Sequence, residues 1–173
     1  MGDSHGAAGW APVTFCRPAP HVSCSNAEVS TECFASHEWF TDNWIEFDNF
    51  DVEPGDTIAT LIEFEGMDSS GTQWGRATLL KISRSTSVTV QYSAPHGVTF
   101  QGNCAEWVME RPQFSGVPAQ LPEYGEIVFT NGLARNDTRT FDATAATPLN
   151  MQPGSTLLST GGLESDWECT FVA

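Results

Sequence analysis

Asn103-Cys104-Ala105-Glu106-Trp107-Val108-Met109-Glu110-Arg111-Pro112 alternates two kinds of side chain. Read as a strand, it puts Glu106, Val108 and Glu110 on one side and Ala105, Trp107 and Met109 on the other. The ordinary outcome of such a pattern is a buried apolar side with the carboxylates in water. A second outcome has different chemistry. If the carboxylate side lines a cleft, Val108 spaces the two glutamates, and one of them can be held with a raised pKa as an acid–base group.

The same texture extends in both directions. Trp39-Phe40 and Trp44-Ile45-Glu46-Phe47 are aromatic, strand-favouring runs. Val52-Glu53-Pro54-Gly55-Asp56 reads as a turn, residues 57–64 as a strand, and 66–71 as a loop. Further strands are expected at 76–83, 87–92, 107–110, 126–130 and 168–172, with Gly, Pro, Asn and Asp between them. No sustained helical period and no internal repeat interrupts the series. The expected fold class is all-β, an antiparallel two-sheet β-sandwich. Residues 112–122 form a proline-broken loop directly after Glu110, long enough to be a functional element.

Residues 1–35 differ. They are rich in Ala, Ser, Pro and Cys, and Pro12, Pro18 and Pro20 discourage both a helix and a central strand. The expected organisation is an irregular N-terminal arm over 1–35, with one or two short strands at most, and the sandwich over 36–173.

Composition narrows the function. The 173 residues include 22 acidic and 7 basic side chains, a formal net charge of -15. Nucleic acid is excluded as a partner, because phosphate binding needs a basic face. No apolar run approaches the ~20 residues of a membrane span, so no membrane partner is expected. Acidic solubility explains such a charge, and so does service at low pH, where protonation relieves the self-repulsion. The residues Met1-Gly2-Asp3-Ser4-His5-Gly6 show no signal-peptide pattern. Cys16, Cys24, Cys33, Cys104 and Cys169 are scattered without zinc-ligand spacing and read as disulfide cysteines with one left over; a reduced intracellular protein is the alternative. His5, His21, His37 and His96 are too dispersed for a metal site and are assigned to the surface or the arm. No metal or cofactor is expected. Asn136-Asp137-Thr138 is a glycosylation sequon.

Ala105-Glu106-Trp107-Val108-Met109-Glu110 resembles the Ala-Glu-aromatic-aliphatic-aliphatic-Glu signature of the glutamic peptidases (eqolisins), acid endopeptidases known mainly from fungi. Other pieces follow in the family's order. His37-Glu38-Trp39-Phe40 is similar to its Tyr-Glu-Trp-Tyr on a cleft-lining strand, and Gly55-Asp56-Thr57-Ile58 to its Gly-Asp-Ser/Thr-Ile turn. Ala77-Thr78-Leu79 and Val128-Phe129-Thr130-Asn131 resemble two further strands. The resemblance implies a concanavalin A-like jelly roll, a secreted, monomeric hydrolase and a protein or peptide substrate. It makes Glu110 the catalytic glutamate and places Glu38, Trp39, Phe40 and Glu106 in the substrate cleft. It also implies that Cys16 lies near Cys104.

The family pairs its glutamate with a glutamine. The glutamate, as general base, activates a water against the scissile carbonyl, and the glutamine amide donates to the oxyanion. Here no Gln occurs before Gln73, and the family's Gly-Ile-Asp-Gly piece is missing. Half of the active site that the resemblance implies is therefore absent from this sequence, and three accounts are open: a catalytically dead relative, a substitute donor, or an N-terminus that is misspliced or truncated. From a different class, a sandwich carrying carboxylates together with Trp39, Trp44, Trp74 and Trp107 also suits a carbohydrate-binding or glycoside-hydrolysing module.

Overall fold

Period-2 alternation produces antiparallel sheets throughout the computed structural model. It describes residues 10–20, 29–39, 43, 45–53, 55–102, 105–107, 113–114, 117–118, 126–142, 144, 146–152, 157, 159–165 and 168–172. The chain forms two units, Met1–Cys104 and Ala105–Ala173. In the first, β1 (Trp10–Pro20), β2 (Val29–Trp39) and β3 (Ile45–Glu46) make one sheet in that order, and β4 (Ile58–Met67), β5 (Gln73–Lys81) and β6 (Thr86–Ser93) make another. All pairs within them are antiparallel.

The core of this unit lies between the two sheets. Gly75, Ala77, Leu79 and Lys81 on β5 are buried while Arg76 and Leu80 are exposed, which is the alternation of a strand covered on one face. Ala77 and Leu79 pack with Ala35 and Trp39 of β2, with Phe47, Phe50 and Ala94, and with partly buried Val88, Val90 and Tyr92. Leu79 is 1% exposed, so Leu79→Ala should cost about 2–5 kcal/mol through lost burial and a residual cavity. At one end, buried Lys81 places Nζ 2.9 Å from Asp56 Oδ2. Asp56 belongs to the expected 52–56 turn: its N–H donates to Glu53 O, its Oδ2 accepts from Glu53 N–H, and Gly55 takes φ +90°. The β4–β5 hairpin is closed by Asp68, whose Oδ1 accepts from Ser70 N–H, Ser70 Oγ and Thr72 N–H, while Oδ2 accepts from Trp74 Nε1.

The N-terminal segment differs from the irregular arm expected over 1–35. β1 is an 11-residue strand paired one-to-one with β2, from Trp10↔Trp39 to Pro20↔Val29, so position 35 falls inside β2. The prolines explain how this is tolerated. Hydrogen-bonded and non-hydrogen-bonded pairs alternate along an antiparallel ladder. Pro12, Pro18 and Pro20 all occupy even positions in an unbroken register. All three therefore fit the non-hydrogen-bonded pairs, where no N–H is required, on a strand at the edge of its sheet. Read singly, each proline is a strand breaker; read by parity, they are compatible with one edge strand.

The second unit contains a short hairpin, β7 (Gln113–Phe114) with β8 (Val117–Pro118), inside the expected 112–122 loop. Here β9 (Glu126–Thr130), β12 (Thr160–Ser165) and β13 (Glu168–Val172) form a sheet ordered β12-β13-β9, and β10 (Leu133–Arg135) pairs with β11 (Thr140–Asp142). β9 and β13 have the bounds read from the sequence. Of the expected 107–110 strand only Trp107 is described, and it lies outside any strand, as do Ala105 and Glu106 before it. Residues 108–110 lie outside the described residues.

Candidate active site

Two segments carry the expected site, one in each unit. On β2, alternation separates neighbours that the sequence had grouped. Ala35, His37 and Trp39 share the face turned to the core, and Trp39 is 3% exposed with its ring 6.1 Å from that of Tyr92. Phe34, Ser36 and half-buried Glu38 take the opposite face. Glu38 and Trp39 thus take opposite faces of the strand: Trp39 is a packing residue, and Glu38 is half-buried on a face where Phe34 and Ser36 are also buried. Phe40 lies outside the described residues.

His37, expected at the surface or in the arm, is buried instead. Its ring sits 5.1 Å from Phe47 and 4.7 Å from Tyr92, centroid to centroid, and Nδ1 has no hydrogen-bond partner among the described residues. Burial alone pushes its pKa below the ordinary value, since the charged form would have to leave water. The same burial raises the Tyr92 hydroxyl well above the usual tyrosine range.

Beside β2, a pocket of about 270 Å³ is bounded by Cys33 and Phe34 and rimmed by Glu46, Asp48 and Asp51. Cys33 is disulfide-bonded. The register sets Cys16 directly opposite it, whereas Cys104, the neighbour implied for Cys16 by resemblance, lies outside the described residues. Among those described, no three His, Cys, Asp or Glu side chains are grouped to hold a metal ion.

In the second unit, Glu106 is exposed and Trp107 half-buried. The indole of Trp107 rests on the backbone of Gly132: a Cβ there would come 2.9 Å from Cε2 and 3.1 Å from Cζ2 and Nε1. Gly132 follows Asn131, whose φ of +55° turns the chain from β9 into β10. This contact anchors the chain three residues before Glu110, the expected catalytic carboxylate, which lies outside the described residues. Sequence reading missed Gly132, although the Asn-Gly pair after a strand is a turn signal.

A model of the peptidase A4 family matches residues 21–171. The chain belongs to the peptidase A4 family. This is the glutamic peptidase group whose motifs the sequence resembles. Aspergillopepsin-2 of Aspergillus niger is 24% identical over 132 residues, which cover 76% of this chain and 45% of that protein. The chain thus spans less than half the length of this peptidase A4 relative. The crystal structure of aspergilloglutamic peptidase from Aspergillus niger superposes with a TM-score of 0.74 at 22% identity, covering 85% of this chain and 83% of that one. The fold of this family member is the antiparallel β-sandwich that the alternation called for.

Proposed function

We propose that this chain is an acid endopeptidase of the glutamic type, and that on its own, without an oxyanion-binding glutamine among these residues, its turnover is feeble or nil. The family match across residues 21–171, which spans both Glu38 and Glu110, carries the reading. Glu110 is the general base that takes a proton from the attacking water, and the same resemblance makes Glu38 and Glu106 cleft residues. Loss of one oxyanion donor lowers a rate by about 10²–10³, and residues 1–72 hold no glutamine to supply it. The substrate is an unfolded protein or peptide met outside the cell.

The test is cleavage of an unfolded protein at about pH 3, in the acid range where the resemblance places the activity. The chain itself should give little or no product. A chimera carrying a family member's glutamine-bearing strand in place of the N-terminal one should gain about 10²–10³ in rate, and Glu110→Gln in that chimera should abolish the gain. An unchanged rate after Glu110→Gln would refute Glu110 as the base. Glycan-array binding without proteolysis in the chimera would favour the carbohydrate-binding alternative.

A further inference from the structure

We propose that Asn136 is a site of N-linked glycosylation, taking an oligosaccharide from a polyprenyl-diphosphate donor. Asn136-Asp137-Thr138 is the chain's single Asn-x-Ser/Thr triplet. The structure sets it at the tip of the β10–β11 hairpin, all three residues exposed. The turn is held by the asparagine's own carboxamide. Oδ1 accepts from Thr138 N–H at 3.0 Å, from Thr138 Oγ1 at 3.1 Å and from Arg139 N–H at 2.9 Å, while Asn136 N–H donates to Arg139 O at 2.9 Å.

This geometry prepares the nitrogen for transfer. With Oδ1 turned into the loop, the other branch of the planar amide directs Nδ2 away from the hairpin, towards solvent. Three donors on Oδ1 draw electron density from the carboxamide, which eases loss of an Nδ2 proton. In the transfer, Nδ2 bonds to C1 of the terminal sugar, the bond from C1 to the diphosphate oxygen breaks, and polyprenyl diphosphate leaves with the electron pair. The Nδ2 proton passes to a base of the transferase. A second, independent feature agrees on the compartment: Cys33 is disulfide-bonded, as in an oxidising lumen where such donors are used. Transfer to Asn136 does not depend on peptidase activity.

The experiment translates the full chain behind an added cleavable leader in the presence of microsomes, so that leader removal reports translocation. Leader-cleaved wild type should migrate as a single-glycan form that endoglycosidase returns to the unmodified position. Asn136→Asp, which keeps an oxygen to accept the turn hydrogen bonds but loses the amide nitrogen, should lose the shifted band completely. Thr138→Ala should lose it too, and Thr138→Ser should retain it. A leader-cleaved wild type with no endoglycosidase-sensitive shift, or a shift that survives Asn136→Asp, would overturn the proposal.

Discussion

Trp107 lies against Gly132 so closely that the ring leaves no room for a side chain, with a Cβ at Gly132 only 2.9 Å from Cε2 of the indole. The contact ties the segment that runs on to Glu110 to the β9–β10 turn, and it makes the glycine a steric requirement. Gly132→Ala should destabilise the fold by about 1–3 kcal/mol, the range for overpacking a filled site. Urea denaturation measures this, and Trp107→Phe in the same background should recover part of the loss by shrinking the ring. A Gly132→Ala protein as stable as wild type would show that the ring moves freely.

Acid stability should depend on two carboxylates held in their charged form. Ser70 first, then Trp74, depresses Asp68 from 3.8 to about 2, and Lys81 is the main cause of the lowered Asp56 pKa. A depressed folded-state pKa contributes stability above the unfolded value and loses it as pH falls through the folded value. Asp68→Asn should therefore melt below wild type at about pH 6, with the difference closing by about pH 2. A difference that is constant with pH would mean that Asp68 acts through shape and not charge.

His37 should work against low pH. Its folded pKa is lowered by burial from 6.5, so its contribution is complete above the unfolded value and falls as pH drops through the folded value. His37→Phe, which keeps an aromatic ring between Phe47 and Tyr92, should flatten the fall in melting temperature between about pH 7 and pH 4. An equally steep fall in the variant would place that acid sensitivity elsewhere.

The disulfide at Cys33 should close on Cys16. Proline parity puts the Cys16↔Cys33 pair at a non-hydrogen-bonded position, where Cα atoms stand about 4.5 Å apart, within disulfide reach. A loop of this size contributes about 3 kcal/mol in the chain-entropy account. Non-reducing peptide mapping should recover the two cysteines in one linked pair. A Cys16–Cys104 link would uphold the family-based expectation and refute the register-based one.

Local chemistry made much of this molecule legible in advance. The bounds of β9 and β13, the 52–56 turn and the antiparallel class follow from period-2 patterning and from Gly and Pro at turn positions, properties that a short window of sequence carries by itself. The family motifs were readable for the same reason, since each is a contiguous run. What depended on partners distant in the chain was not readable. Pro12, Pro18 and Pro20 become compatible with a strand only when β2 supplies the register that sorts them by parity. Glu38 and Trp39 part to opposite faces by alternation, but it is the second sheet that makes the face of Trp39 the core side, and that packing also buries His37 beside Phe47 and Tyr92. Gly132 acquires its role only when an indole 25 positions earlier folds onto it. Alternation specifies that a strand has two faces; long-range pairing decides which face meets the core.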